Sequence, residues 1–405
     1  MSLPANPLNS DRYSTYLSQS EGGHKANGSQ LTRINPSRRV FLVGSMLAGA
    51  CLAAPWIGMT RRTAAASGIQ SVVFWEDKFL SMWNKEDAGD TLELSRSGDG
   101  WDLYNLAYAI DGLTAMFEAT AKTIYLDRAL SYISNVIATA RPSSTLPISQ
   151  FKDGYYGWTT KSLGEQGLYE SYCWRYVTRL LRLMKSNAAV YNNPTYKSRF
   201  NAILSFTEKN IFDKWRSRGV SSWIYRENTH MASHWAYISI NLATLTDSPA
   251  RRAACLQIVD NINWNLPNFP GCGLRKQLIA HPVVQGGIFW NSNWGRFGRP
   301  GSDVGHGGNT VSYLVEAAEH QRVFTVSDMR KLLATLNNAI WKPNGSYAAY
   351  VDGSGMGNGW LNEGWCKLGR YSAALQQRLE THNVGRNMQL YGNGALNARI
   401  LLRGS

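Results

Sequence analysis

The sequence predicts an all-α protein, an (α/α) toroid or incomplete toroid of about five to seven helical hairpins. Two observations predict this fold. Apolar residues recur with the 3.6-residue period of amphipathic helices along most of residues 67–405, and the alternation typical of strands is rare. Polar loops also begin successive pairs of helices at fairly regular intervals, which is typical of architectures that add one hairpin at a time.

The helical period places the individual elements. It predicts helices near residues 73–84, 102–120, 123–140, 166–186, 195–211, 231–246, 250–263, 308–320, 327–340 and 363–379. These segments pair as hairpins, in which a short turn joins a longer helix to a second one. Asp247-Ser248-Pro249 is such a turn, because Ser or Asp can cap the next helix and Pro suits its first position.

Loops rich in Gly, Trp, His and Asn precede the first helix of each pair. They lie at residues 98–101, 164–167, 227–230, 305–309 and 357–360. They start roughly every 50–80 residues, as expected if each hairpin adds one unit to a ring. In such a ring the first helices would line the inside and all these loops would open at one end. We therefore predict one functional site at that end.

The N-terminal region predicts export. Residues 1–36 are polar and without periodicity, so we expect them to be disordered. Residues 37–66 resemble a twin-arginine signal, because Arg38-Arg39 precedes a short apolar run and small residues that a signal peptidase could cleave. Residues 67–405 would then form a single toroid catalytic domain, periplasmic or secreted, with no stable membrane span after cleavage. An uncleaved anchor is the alternative.

Charge and composition favour an anionic glycan as partner. The net charge is +14; residues 1–66 carry seven basic and two acidic side chains, which leaves +9 on the rest. A basic protein favours nucleic acid, acidic polysaccharide or a membrane surface. Basic runs are sparse and no nucleic-acid motif occurs, so we predict an anionic polysaccharide or oligosaccharide and no nucleic acid. The 15 tryptophans fit a glycan, since tryptophan often lines clefts.

No cofactor is predicted. The five cysteines show no CxxC spacing, which argues against a zinc site, and Cys173 and Cys255 lie in helical patterns typical of buried thiols. We predict no metal, although bound calcium stays open.

The first candidate cluster is Asn228, His230 and His234. The two histidines are four residues apart and so share a helix face. Met231 stands where a zinc protease of the HExxH type has its glutamate, which argues against that class. The alternative interpretation is an N-cap asparagine with two core histidines.

The second candidate cluster is Asp303-Val304-Gly305-His306-Gly307-Gly308-Asn309. Its glycines would let the backbone approach a ligand closely. His306 would be exposed and Asn309 would cap the following helix. The alternative is an ordinary glycine-rich turn.

Other loops supply further candidates. Tyr155 and Tyr156 could stack on a sugar or provide a phenol, and Arg296 and Arg299 could bind a carboxylate bidentately. For each of these two loops, an ordinary surface loop is the alternative. The remaining candidate substrate-binding residues lie at or near the same predicted loops: Trp101, Arg226, Asn309, Trp360 and Glu363.

A helical toroid with Asn228 and His230 followed by a tryptophan resembles the alginate-lyase and glucuronan-lyase group of polysaccharide lyases. In alginate lyases of this fold the pair reads Asn-Asn-His, and here Thr229 replaces the second Asn. The resemblance implies β-elimination on an anionic, uronate-containing polysaccharide. It also implies that Asn228 and His230 bind or neutralise the carboxylate.

The chemistry of a uronate lyase assigns the other roles. The enzyme must neutralise the C5 carboxylate, remove the C5 proton and protonate the leaving O4. We predict His306 or His234 as the base and Tyr155 or Tyr156 as the acid.

Two other functions stay open. An inverting glycoside hydrolase on the same toroid needs two carboxylates roughly 6.5–9.5 Å apart. Its candidates are Asp99, Asp102, Glu165, Glu170, Asp303 and Glu363. A non-catalytic glycan-binding protein would need aromatic platforms without a paired acid and base.

Overall fold

The computed structural model describes residues 68–86 and 90–403, which are mostly helical. In chain order the helices are α1 (Val72–Glu86), α2 (Leu92–Arg96), α3 (Asp102–Thr120), α4 (Thr123–Thr139), α5 (Gly167–Ser186), α6 (Ala188–Tyr191), α7 (Pro194–Phe206), α8 (Lys214–Ser217), α9 (Val220–Trp223), α10 (Thr229–Leu245), α11 (Pro249–Trp264), α12 (Leu274–Gln277), α13 (Val304–Glu319), α14 (Val326–Thr335), α15 (Gly364–Lys367), α16 (Ala373–Leu379) and α17 (Asn387–Arg403). Two small antiparallel pairs join β1 (Arg141–Pro142) to β2 (Tyr156–Gly157) and β3 (Ile279–Ala280) to β4 (Ile288–Phe289).

Six of these helices form a closed inner ring. Helices α3, α5, α10, α13, α15 and α17 each pack on the next, and α17 packs on α3 to close the circle. The second helices of the hairpins form an outer layer; for example, α4 packs on α3, α11 on α10 and α1 on α17. The predicted all-α toroid of helical hairpins is therefore confirmed, and the ring is complete.

The interior has two different environments. Large apolar side chains fill the space around the inner helices, among them Trp75, Phe79, Trp174 and Trp235, each at most 1% exposed. The axis of the ring is polar, because the inner helices turn a stripe of charged and aromatic side chains towards each other. Burial of so many charges is tolerated only where each has a partner of opposite sign.

The axis holds five acidic and five basic side chains in one network. The acids are Asp111, Glu118, Glu316, Glu319 and Glu363, and the bases are Arg175, Arg179, Arg182, Lys367 and Arg370. The closest pairs include Arg175 Nη2–Glu363 Oε2 at 2.8 Å and Lys367 Nζ–Asp111 Oδ1 at 3.0 Å. The axis thus neutralises its own charge.

Three predicted helices differ from the observed ones. The helix predicted over 327–340 ends at Thr335 and continues as a π-helical segment, Leu336–Ile340. The helix predicted over 363–379 is interrupted: α15 continues as a 3₁₀ turn, Leu368–Tyr371, and the Ser372 hydroxyl caps the separate helix α16 by accepting from the Leu375 amide. The helix predicted over 195–211 ends at Phe206 and continues as a π-helical segment, Thr207–Asp213.

The sequence analysis also missed α17, which completes the ring. Gly392 and Gly394 weaken its helical pattern, yet both are required by packing. A Cβ at Gly392 would lie 2.3 Å from the Gly112 carbonyl oxygen on α3, and one at Gly394 would lie 2.4 Å from the Trp75 ring. Tertiary contact therefore overrides helix propensity in this segment.

The predictions for residues 1–36 and 37–66, including Cys51, lie outside the described residues and stay predictions. Within the described part of the chain, no helix combines the length and the apolar character needed to cross a bilayer. Cys173, Cys255 and Cys366 are buried free thiols, and Cys272 is a half-buried one.

Candidate active site

The first turns of four inner helices meet through a chain of ring contacts. Trp101 stacks on Tyr104 with ring centroids 5.6 Å apart, and Tyr104 stacks on Tyr172 at 3.8 Å. Tyr172 meets His234 edge-on at 5.3 Å, His234 lies 6.3 Å from His230, and His230 lies 4.2 Å from His306. We call these six residues the mouth cluster. It brings the predicted loops near residues 100, 230 and 306 together at one end of the ring.

His306 is oriented by Asp303. Its Nδ1–H donates to Asp303 Oδ2 at 2.7 Å, and the other carboxylate oxygen accepts from the His306 backbone amide at 2.9 Å. Nε2 of His306 makes no hydrogen bond to any described residue. Burial opposes protonation of His306, but the charge and hydrogen bond of Asp303 outweigh it and raise the pKa of His306. Burial likewise opposes ionisation of Asp303, yet His306 lowers the pKa of that carboxyl to about 2.

The Asp303 side chain also starts helix α13, which corrects one expectation. Asp303 is the N-cap, because its carboxylate accepts from the His306 amide, so Asn309 lies inside the helix instead of capping it. Two of the glycines leave room for tryptophans. A Cβ at Gly307 would lie 3.3 Å from Trp290, and one at Gly308 would lie 3.0 Å from Trp365. The two tryptophans therefore clamp the turn that carries His306.

His230 is the counterpart of His306. It is 6% exposed, and its ring nitrogens make no hydrogen bond to any described residue; Nδ1 is also shielded from solvent. Burial, followed by the nearby positive charge of His306 and His234, lowers the pKa of His230 well below its ordinary value. Two neighbouring imidazoles therefore have pKa values shifted in opposite directions.

His234 is fully engaged and corrects a second expectation, that it could serve as base. Its Nε2 lies 3.3 Å from Asn309 Oδ1, and its Nδ1 lies 3.4 Å from Ser171 Oγ. The Asn309 amide group donates to the Gly305 carbonyl, which turns its oxygen towards His234 and favours the tautomer with the proton on Nε2. His234 is 1% exposed and both of its nitrogens face groups of the protein, so it supports the site from below and is closed to a substrate.

Asn228 and Arg226 border His230. Asn228 flanks the start of α10, and its side chain does not cap the helix. Arg226 makes the smallest of the named contributions to the lowered pKa of His230 and His234, after burial and the nearer charges. Two polar groups suited to a carboxylate therefore lie in the segment that leads into the helix of the imidazoles.

Glu363 lies below the mouth cluster and cannot contact a substrate directly, contrary to the expectation from sequence. It is 1% exposed, accepts from the hydroxyls of Tyr172 and Tyr176, and pairs with Arg175. Its backbone has φ of +55°, an unusual conformation for a residue other than glycine. Glu363 therefore acts as an anchor for Tyr172.

Trp360 lies on the same side of the ring, half-buried, with its ring edge-on to Tyr108 at 5.8 Å. The Tyr108 and Tyr172 hydroxyl oxygens lie 3.0 Å apart, and because Tyr172 donates its proton to Glu363, Tyr108 is the donor in this bond. Trp360 is thus joined to the mouth cluster through Tyr108.

Tyr155 and Tyr156 are not brought to the mouth cluster, so the predicted acid is wrongly placed. The Tyr156 amide donates to Asn210 Oδ1 at 3.0 Å, and its carbonyl accepts from Lys214 Nζ at 3.0 Å, both in segments that follow α7. The Tyr155 carbonyl accepts from the Ser143 backbone. No described contact links either phenol to His230 or His306.

The two loop arginines behave differently. Arg299 Nε donates to Asp352 Oδ2 at 2.7 Å and so ties its loop to the next one. Arg296 is exposed, and its side chain has no hydrogen-bond partner among the described residues.

Most hydrolase candidates are committed elsewhere. Glu165 and Glu170 are buried and share Lys214 at 3.5 and 2.8 Å. Asp99 accepts from the Trp101 amide at 2.9 Å, and burial raises the pKa of Asp102, whose side chain bonds Ser97. Among the described residues, no three His, Cys, Asp or Glu side chains are placed to hold a metal ion.

The sequence analysis missed the tyrosines of the mouth cluster. Trp101, Tyr104 and Tyr108 recur at i, i+3 and i+7, the spacing of one helix face. Tyr169, Tyr172 and Tyr176 repeat the same spacing on α5. The separation of Asp303 and His306 by three residues at a helix start also predicts their pairing.

Comparisons with known proteins give a likeness of fold without close relatives. No protein-family profile matches the sequence, and no curated protein matches it significantly. The GH76A alpha-1,6-mannanase from Salegentibacter sp. HEL1_6 is 12% identical, with 82% of this chain and 99% of that chain covered and a TM-score of 0.44. A glycosyl hydrolase family 88 protein from Bacteroides vulgatus is 11% identical, with 83% and 100% covered and a TM-score of 0.45. An inactive variant of the mannanase in complex with alpha-1,6-mannotetrose is 12% identical, with 82% of this chain and 99% of that chain covered and a TM-score of 0.45. Likeness this low does not show that the chain shares their activity.

Proposed function

We propose that this chain is a carbohydrate-active enzyme that cleaves a uronate-containing polysaccharide by β-elimination. The observation that carries the proposal is the pair His230 and His306, whose rings lie 4.2 Å apart and whose pKa values are shifted in opposite directions. A lowered pKa favours the neutral imidazole that can act as a base, and a raised pKa favours the protonated imidazole that can act as an acid.

The reaction assigns one step to each imidazole. Neutral His230 takes the C5 proton, the electron pair of that C–H bond forms the C4–C5 double bond, and the C4–O4 bond breaks. The imidazolium of His306 donates its Nε2 proton to the departing O4, and exchange with water restores both groups. Arg226 and Asn228 bind the C5 carboxylate and stabilise the negative charge that develops on it. The products are a chain with a new hydroxyl group and a chain that begins with an unsaturated uronate.

The closeness of the two rings also selects the substrate. A base and an acid side by side reach a sugar from one face, so the C5 proton and O4 must lie on the same face of the ring. This is the configuration of D-mannuronate and D-glucuronate. In D-galacturonate and L-guluronate the two groups lie on opposite faces. Two half-buried tryptophans, Trp101 in the mouth cluster and Trp360 next to it, would support the sugar rings.

A polymer screen of the purified protein tests the proposal. We expect ultraviolet absorbance from the conjugated product with polymannuronate or glucuronan and none with polygalacturonate. Cleavage of polygalacturonate alone would overturn the assignment of His230 and His306 to one face. The absence of unsaturated product from every uronate polymer would overturn the lyase proposal.

An inverting glycoside hydrolase is the second candidate, favoured by one observation. Burial raises the pKa of Asp102, whereas His306 lowers the pKa of Asp303 to about 2, and such a separation suits an acid and a base. Asp102 bonds Ser97, however, and has no described contact with the mouth cluster. In the same screen a hydrolase would release new reducing ends without ultraviolet absorbance.

A further inference from the structure

Residues 291–301 form a loop that displays a cation and an aromatic ring side by side. Arg296 is exposed, and Phe297 is 48% exposed. The loop therefore offers a positive charge and an apolar ring on successive residues, the two kinds of group that bind a uronate. Arg299 on the same loop is different, since it is tied to Asp352.

The backbone beneath Arg296 is held rigidly. Gln277 is 1% exposed, and its amide nitrogen donates to the carbonyls of Arg296 at 2.7 Å and Asn293 at 3.2 Å. Its amide oxygen accepts from the Gly295 backbone at 3.1 Å. A buried side chain therefore fixes three points of the loop, which lowers the entropy cost of binding at its surface.

The loop adjoins the mouth cluster. Asn293 pairs with Asn228 through a backbone bridge, and Trp294 Nε1 donates to the Arg226 carbonyl at 2.7 Å. Arg296 follows Asn293 by three residues, so their Cα atoms lie at most about 11 Å apart. Because Asn293 is bridged to Asn228, Arg296 is near enough to that residue for a bound oligosaccharide to span the two.

We propose that Arg296 and Phe297 form a second subsite, which binds a further uronate of the same chain. The guanidinium pairs with its carboxylate, and the phenyl ring packs against the apolar face of the sugar. This inference rests on the proposed function and narrows its substrate class: the polymer carries carboxylates on neighbouring units, and an isolated uronate in a neutral chain is bound weakly.

Affinity electrophoresis in gels that contain polymannuronate, glucuronan or a neutral glucan tests the subsite. The His306→Asn variant serves as the parent, so that no turnover shortens the polymer. We expect the parent to be retarded by a uronate polymer and not by the glucan. Added Arg296→Ala should weaken that binding at least about tenfold, the loss of one charge-assisted hydrogen bond, and added Phe297→Ala should weaken it as well. Lys331→Ala removes an exposed charge from α14 and should bind like the parent.

Three results would overturn the subsite: no retardation of the parent by any uronate polymer, equal retardation by the glucan, or unchanged binding of the Arg296→Ala variant. If binding depends on Arg296 but the unmodified protein forms no unsaturated product, the subsite stands and the lyase proposal fails.

Discussion

The mouth cluster and the axis below it are both polar and lie on the same inner helices, yet they differ in how their groups are satisfied. In the axis each acid pairs with a base, as Glu316 does with Arg182 at 3.0 Å. At the mouth, His230 has no hydrogen-bond partner among the described residues for either ring nitrogen, and His306 keeps Nε2 unbonded.

This difference distinguishes a structural network from a site. Charge and burial alone would identify the axis as the functional site, because its charged side chains are more numerous and more deeply buried. Its unbonded donor atoms, Arg175 Nη1 and Arg179 Nη1, are shielded from solvent in the middle of the network, so they are closed to a ligand. The mouth holds fewer charges. Its two imidazoles, however, have pKa values shifted in opposite directions, and each has a ring nitrogen without a hydrogen-bond partner among the described residues.

The largest effect is expected at the mouth. His306→Asn should lower kcat on the substrate found by the screen by roughly 10²–10⁴-fold, because it removes the general acid. The free energy of unfolding should fall by only about 1.5–3 kcal/mol, because one charge-assisted hydrogen bond to Asp303 is lost. Initial rates measure kcat, and urea unfolding measures the free energy of unfolding. If the variant were as active as the unmodified protein, the mouth cluster would not differ from the axis in catalytic role.

The reverse pattern is expected in the axis. Glu316→Gln should lower the free energy of unfolding by about 3–5 kcal/mol, because Arg179 and Arg182 lose a buried partner. Arg182 and the other charges there overcome burial and lower the pKa of Glu316. Its contribution is therefore present above the pKa of the unfolded chain and is lost as the pH falls through the folded value.

Urea unfolding at several pH values tests this, with Glu93→Gln on the surface as the matched control. We expect kcat of the folded Glu316→Gln protein to be unchanged. A large loss of kcat without loss of stability would assign the axis to catalysis.

A smaller effect should follow from loosening the clamp under His306. Gly308→Ala places a Cβ against Trp365 and shifts the first turn of α13, so kcat should fall roughly tenfold to hundredfold. Gly154→Ala, where a Cβ meets nothing within 4 Å, is the control. Rates of both variants should be compared at equal folded fraction; a neutral Gly308→Ala would show that the clamp does not position His306.

The smallest effect is a displaced pH profile. His306 must be protonated to act as the acid, so kcat/KM should fall as the pH rises through its raised pKa. Asp303→Asn removes the charge that raises this pKa while an asparagine can still cap the helix, so the alkaline limb should move to lower pH. If the alkaline limb lay at the same pH in the unmodified protein and in the Asp303→Asn variant, a group other than His306 would cause it.

The sequence predicts some of these features and not others, for physical reasons. Helix α3 follows from periodicity, and the meeting of His230 and His306 follows from the rule that the first helices of a ring open at one end. Tyr155 and Tyr156 could not be placed, because Asn210 and Lys214, more than 50 residues away in sequence, hold their loop. Asn309 was misassigned because the nearer Asp303 takes the cap.

Titration of the histidine side chains by NMR tests the central claim most directly, because it needs no substrate. The account predicts two separate transitions, with the His306 signal, assigned by its absence in His306→Asn, above the ordinary value of about 6.5 and the His230 signal well below it. Two histidines that titrate together near that value would contradict the account.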